Sequence, residues 1–257
     1  MERIPRFDVA SDLSDHHYAH PDCTIGGRNT AYKTIMSEWK SLRKNLPDSI
    51  YVRVYRNRID LLRAVIVGAV GRPYHDELFF FDVKFPTDYP NQPPLVYYHS
   101  HGLRPNPNMY ANGKVCLSLL NTWVGKTNER WNPNQSTILQ VLVSIQGLVL
   151  NEKPFYNEPC RLRIFQEAKS RRYNEDRNAF ITTCKMTIYL LRKPPNNFEL
   201  FTVEHFRQRA NRILRACDAY ANSRVGVSYY RDHNDEDPRT EFQFFFFVSV
   251  ERTNILL

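Results

Sequence analysis

Cys116 sits in the stretch "NPNMYANGKVCLSLLNTW", Asn106 to Trp123, eight residues after Asn108 and with no histidine close by in sequence. A cysteine in a segment so rich in turn formers has the reach of a nucleophile, but nothing adjacent would take its proton. The other four cysteines, Cys23, Cys160, Cys184 and Cys217, are scattered and form no Cys-x-x-Cys pair. Neither a zinc site nor a disulfide framework is therefore expected, and a reducing compartment is. His16, His17, His20 and Cys23 are metal-ligating types in one short run, "DHHYAHPDC", yet nothing around them supplies a rigid outer shell. No metal is expected. A cysteine protease would start a helix at its thiol and pair it with a base, whereas "LSLLNTW" after Cys116 opens a helix poorly.

Something must hold that loop. Residues 1–28 are polar, without apolar periodicity, and are expected to form a flexible N-terminal arm. Ile35, Trp39, Leu42 and Leu46 then recur at helical spacing, with Asn29 or Thr30 as N-cap and Pro47 as stop. Strand patterns follow at 50–56, 61–68, 78–85 and 94–99, separated by turn chemistry such as "GRPYHDE", and they predict an antiparallel meander of four strands. In the third, Phe79, Phe81, Val83 and Phe85 share one face, and Asp82 and Lys84 lie on the other. Residues 100 to about 135 show no clean period. So long a stretch inside a compact domain tends to be functional. "STILQVLVSIQGLVLN" then predicts a buried helix capped by Ser136, with Ile138, Leu142, Ile145 and Val149 on its inner side. Two more helices are expected, from about Asn174 to Arg192 and from about Asn197 to Tyr220, the second with Phe198, Phe201, His205, Ile213 and Leu214 facing a core. The fold class is α+β with helices packed on one sheet.

The chain carries a net charge of +8 at 42% hydrophobic content, enough for a sizeable core, with its acids concentrated towards both ends. The basic middle would suit an anionic partner. The basic residues are dispersed, however, and no nucleic-acid recognition motif appears, so a nucleic-acid binder is the weaker reading. No apolar run reaches the length of a membrane span, and the first residues lack the apolar stretch of a signal peptide. A cytoplasmic or nuclear location is expected.

"YPNQPP" (89–94), "NPN" (106–108), "NGKVCLSLL" (112–120) and "WNP" (131–133), in this order after a helix and a meander, resemble the ubiquitin-conjugating enzymes. The resemblance covers roughly residues 29–165, a core domain between the 1–28 arm, a helical extension at 166–222 and a tail at 223–257 whose role is unassigned. The family's usual His-Pro-Asn here reads Asn106-Pro107-Asn108. That substitution, the longer loop before Trp131, "NEKPFYNEP" and "RKPPNNFELFTVEHF" are similar to the large conjugating enzymes of plants and animals, a branch that includes fused conjugase–ligase proteins.

The resemblance implies that activated ubiquitin passes from an activating enzyme to Cys116 as a thioester, and then to a substrate lysine. The chain would need no nucleotide, metal or other cofactor. Exchange between two thiols is nearly neutral in energy, and the best attacking thiol has a pKa near ambient, so the missing histidine does not count against Cys116. Amine attack is harder because charge builds on the carbonyl oxygen. The resemblance makes Asn108 the amide that stabilises it, and gives Asn106 the structural part of the family's histidine. The acid–base or lysine-positioning place falls on Tyr156, with Asn157 and Glu158 beside it. The surface for the activating enzyme and a ubiquitin ligase would include Lys33, Lys40, Pro90, Asn91, Pro133 and Asn134. Asn91 stands where many relatives carry a bulky apolar anchor. The competing reading is a catalytically silent variant acting as a binding module; such variants usually lack the cysteine.

Overall fold

A computed structural model describes residues 4–20, 30–123, 126, 129–157, 168–222 and 226–227. The elements are β1 (Phe7–Ala10), α1 (Thr30–Asn45), β2 (Ile50–Tyr55), β3 (Arg58–Val67), β4 (Leu78–Lys84), β5 (Leu95–Tyr98), α2 (Ile138–Ser144), α3 (Ala168–Arg192) and α4 (Glu199–Ala221). The four predicted strands form the expected antiparallel meander, β2 to β5, and the architecture is the α+β one of the resemblance.

A fifth strand joins it. β1 pairs parallel with β2, so residues 7–10 are the edge of the sheet and not part of a flexible arm. The reason is local. Phe7 lies 6.4 Å from the Trp39 ring and under the Arg43 guanidinium, and the Val52 N–H donates to Arg6 O at 2.6 Å. Four residues are too few to show a period in sequence. His16 is buried too: Nε2 donates to Leu62 O at 3.1 Å, and Nδ1 accepts the Tyr18 N–H at 3.2 Å. Both ring nitrogens are thus occupied in the neutral tautomer, and His17 stacks on Tyr97 at 3.6 Å. Among the described residues no group of His, Cys, Asp or Glu could hold a metal ion; Cys23 lies outside them.

Both faces of the sheet are covered. Val52, Val54, Leu62, Ala64, Phe79, Phe81 and Val83 pack under α1 and α2, with Ile35, Leu42, Ile138, Leu142 and Ile145 fully buried against them. On the opposite face, which carries Asp82 and Lys84 of β4, Val65, Leu78 and Phe80 meet Leu190, Phe198, Phe201 and Phe206 of the α3–α4 hairpin. Leu214, expected in that core, is exposed, and Phe206 takes its place. The N-cap of α2 is Thr137 and not Ser136: Thr137 accepts the Gln140 N–H and Gln140 returns the bond, a capping box. Thr30 is the first residue of α1, and Asn29 lies outside the described residues. No helix among the described residues is long and apolar enough to cross a membrane.

The hairpin grips the segment before β4. Glu77, 3% exposed, accepts from the Leu78 N–H at 2.9 Å and faces the Thr187 hydroxyl at 2.7 Å. Burial, only partly opposed by those bonds, pushes its carboxyl up from 4.5 to about 8. The native state therefore keeps a proton that the unfolded chain releases, and stability drains away as pH rises from 4.5 to about 8. His205, pushed down to about 4 by burial, acts in the opposite direction between 4 and its ordinary 6.5. Comparison with Glu77→Gln isolates the glutamate. Gln donates to Thr187 Oγ1, whose hydroxyl turns to Thr183 O, 3.3 Å away. Urea titrations should show Glu77→Gln matching wild type near pH 4.5 and exceeding it by on the order of a few kcal/mol above pH 8.

Candidate functional site

The stretch without periodicity is a small irregular hairpin. Met109 bridges Val115, the Tyr110 N–H donates to Lys114 O at 2.9 Å, and the Cys116 N–H donates to Asn108 O at 2.8 Å. The interval of eight residues thus sets Asn108 and Cys116 opposite each other across two facing strands. Gly113 closes the turn at φ 86°, and a Cβ there would lie 2.1 Å from the Tyr97 ring, so only glycine fits.

Cys116 is 3% exposed and stands two residues before a single 3-10 turn, Ser118–Leu120. Asn108, 8% exposed, donates from Nδ2 to Cys116 O at 3.1 Å. Its own amide oxygen is buried with no hydrogen-bond partner. On the other edge, the Thr122 hydroxyl donates to Val115 O at 2.6 Å and accepts the Leu117 N–H at 3.0 Å. Among the other described cysteines, Cys184 does not compete as a nucleophile. Its hydrogen bond with Cys217 between α3 and α4, together with burial, raises it well above the usual thiol range.

Asn106 lies below, 2% exposed. Its Nδ2 donates to Tyr74 Oη at 2.6 Å and to Val149 O at 2.7 Å, and its Oδ1 accepts the Asn108 N–H at 2.8 Å. Every polar atom of its amide is engaged, so it supports the loop and has no free donor for a reacting group. The helix after α2 widens into a π turn at Ile145–Val149, where Leu150 N–H donates to Ile145 O at 2.9 Å. The Val149 carbonyl, in the last turn, accepts from Asn106 and, at 3.0 Å, from Asn157 Nδ2. Asn157 also accepts from Asn151. Its amide thus faces inward and braces the loop. Of the two lysine-positioning candidates that are described, Tyr156, 38% exposed on the 3-10 turn Pro154–Asn157, is the one on an open surface. Glu158 lies outside the described residues.

The expected partner surface is drawn together by the core. Tyr89 donates to the buried Glu38, whose carboxylate also accepts the Ile138 N–H at 3.3 Å, and Trp131 Nε1 donates to Pro90 O at 2.6 Å. Burial raises the Glu38 carboxyl, and the bonds from Tyr89 and Ile138 offset part of that. Asn91, Pro133 and Asn134 are exposed around this knot and Pro90 is half-buried; Lys33 and Lys40 are exposed on α1. Beside the thiol, Leu117, Leu119, Glu129, Arg130, Gln140 and Leu148 help line a cleft of about 580 Å³. Tyr74, Thr122 and Asn151 were not legible as site residues, because each acts on backbone or amide groups brought near only by folding.

The chain is similar to known proteins over most of its length. The family described as "Ubiquitin-conjugating enzyme" matches residues 34–187. The chain is 51% identical over 239 residues to "Probable ubiquitin-conjugating enzyme E2 23" of Arabidopsis thaliana, an alignment covering 91% of this chain and 22% of that protein. It is 50% identical over 225 residues to "Putative ubiquitin-conjugating enzyme E2 38" of the same plant, covering 86% of this chain and 68% of the relative. The human "Dual E2 ubiquitin-conjugating enzyme/E3 ubiquitin-protein ligase BIRC6" is 36% identical over 220 residues, which cover 80% of this chain and 4% of that protein. The chain spans well under half the length of several of its plant relatives, 22% and 36% in two of them.

Proposed function

Since the chain belongs to the ubiquitin-conjugating enzyme family, in its large-enzyme branch, we propose that it accepts ubiquitin as a thioester on Cys116 and transfers it to substrate lysines. The observation that carries this reading is the pairing of Cys116 with the Asn108 amide across the loop, 3.1 Å from Nδ2 to Cys116 O. In the first step the Cys116 thiolate attacks the thioester carbonyl on the activating enzyme and expels that enzyme's thiolate. Bond types are conserved, so a modest thiolate fraction suffices. In the second, a lysine amine attacks the Cys116 thioester, the C–S bond breaks, and an amide forms. Asn108 then offers an N–H to the developing oxyanion. The cleft walled by Leu117, Leu119 and Leu148 suits the extended acyl end of the modifier. Tyr156, exposed on its 3-10 turn, shields the incoming amine from water in this reading. The exposed Lys33, Lys40, Asn91, Pro133 and Asn134 form the docking face for the activating enzyme and any ligase. The human relative BIRC6 is named a ligase as well as a conjugating enzyme, and substrate selection of that kind is the finer part of this proposal.

The test is a charging assay with purified activating enzyme, ATP and a panel of ubiquitin and ubiquitin-like modifiers. Wild type should take up ubiquitin in a bond that thiol reagent cleaves, and Cys116→Ala should take up none. No adduct with any modifier would favour the silent binding module instead.

A further inference from the structure

We propose that Thr122 is a positioning residue for the Cys116 thiol, one that holds the cysteine backbone while Asn108 turns its amide towards the reacting carbonyl. This rests on Cys116 being the acyl acceptor. Two peptide groups flank Cys116, and their four polar atoms are all held. The Cys116 N–H is held by Asn108 O at 2.8 Å and the Cys116 carbonyl by Asn108 Nδ2 at 3.1 Å. The Val115 carbonyl and the Leu117 N–H are both held by one atom, Thr122 Oγ1, at 2.6 and 3.0 Å. A hydroxyl is donor and acceptor together, so a single threonine can brace both sides of the nucleophile. Leu117 O, at 3.3 Å, is a second and longer acceptor for the same proton.

The two clamps differ in what they must do next. The Asn108 amide is tethered only through nitrogen, because its oxygen is buried without a partner. Rotation out of this pose therefore breaks one N–H···O bond and sacrifices no bond at the oxygen. An N–H directed at the thioester oxygen in the transition state is worth far more there than at Cys116 O. Once the side chain leaves, the cysteine retains the Asn108 backbone bond and the Thr122 bridge. Thr122 then sets the direction in which the sulfur presents its acyl group. The fold of the turn has its own supports, Asn121 N–H to Ser118 O at 2.9 Å and Thr122 N–H to Leu117 O at 3.3 Å, and these survive removal of the hydroxyl.

Thr122→Val keeps the side-chain shape and deletes both bonds; Thr122→Ser keeps both. The measurements are loading of Cys116, single-turnover discharge of the ubiquitin thioester to free lysine, and a thermal melt, all on the full chain. Thr122→Val is expected to load within about threefold of wild type and to discharge about tenfold more slowly, with a melt within a few degrees of wild type. Thr122→Ser should restore discharge. Should valine lower the melt, Thr122→Ala reads the same step without a branched apolar group in the turn. Discharge by Thr122→Val at the wild-type rate, or Thr122→Ser as slow as Thr122→Val, overturns the proposal. Iodoacetamide alkylation of Cys116 across neutral to mildly alkaline pH, read on its peptide by mass spectrometry, needs no ubiquitin. If wild type never loads, the proposed function falls, while equal alkylation profiles of wild type and Thr122→Val overturn the part given to Thr122.

Discussion

Asn108→Ala is expected to slow discharge of ubiquitin from Cys116 to lysine by about 10²–10³, while loading of Cys116 stays within a few-fold of wild type. The two steps separate because they make different demands on charge. Thiol-to-thiol exchange gains nothing essential from an extra donor. Attack by an amine passes through a tetrahedral centre whose oxygen needs a donor. Asn106, the neighbouring candidate, has its Nδ2 engaged by Tyr74 and Val149 and its Oδ1 by the Asn108 N–H. Loading is the internal control for scaffold damage. Loss of the bond from Asn108 Nδ2 to Cys116 O leaves the Cys116 N–H on Asn108 O, a backbone contact that alanine retains, and leaves the Thr122 bridge in place. Asn108→Asp should be at least as slow as alanine, since a carboxylate has no proton to donate and would face the Cys116 carbonyl. If loading falls as far as discharge in single-turnover chases, Asn108 is scaffold and the oxyanion donor lies elsewhere.

The parts of this site that show in sequence are those whose chemistry depends on residue type at fixed spacing: Cys116, the Asn-Pro-Asn tripeptide, and the glycine that turns the chain between them. The helix and meander were equally legible, since Ile35, Trp39, Leu42 and Leu46, like Phe79, Phe81 and Val83, keep strict periods. What escaped was decided by tertiary contact. Asp82 and Lys84 alternate with phenylalanines as a solvent-facing strand would, yet Asp82 is fully buried, because α3 and α4 fold back over that face. "RFDVA" carries three apolar residues and is too short to show a period, and its strand exists because β2 presents an open edge beside Trp39. The α2 cap is a different kind of miss. Thr137 and Gln140 stand at capping-box spacing, and that signal decides between Ser136 and Thr137 without any structure.

Asp82→Asn should destabilise the fold by about 3–5 kcal/mol, the largest stability effect expected in the described residues. The carboxylate accepts from Arg63 Nε at 2.7 Å and Nη2 at 3.0 Å, from His99 Nε2 at 2.8 Å, and from the His17 N–H at 2.8 Å. Burial would raise its pKa, but the bonds from His99 and Arg63 outweigh it and hold the carboxyl well below its ordinary 3.8. Its contribution is therefore complete above about pH 4 and is lost as pH falls below that value; the asparagine variant lacks this acid limb. An amide in the same place must point N–H groups at donors, and it leaves the buried Arg63 guanidinium with one carboxylate partner among the described residues, Asp15, at 2.7 Å and partly open to water. Arg63 also reaches Asn196 O between α3 and α4, at 3.4 Å, and Asp15 accepts the Asn196 N–H at 3.0 Å. Weakening the pair should thus release the 12–17 segment and the hairpin together, read as early proteolytic cleavage there during thermal melts. A double variant separates the cost of an orphaned charge from the net worth of the pair. Arg63→Met with Asp82→Leu removes both charges from the interior and should recover more than half of the loss in urea titrations. Recovery stops short of wild type because the His17 N–H and His99 Nε2 have still lost their acceptor. If the double variant is no more stable than Asp82→Asn, the stranded cation is not the source of the damage, and the loss lies in those two remaining donors.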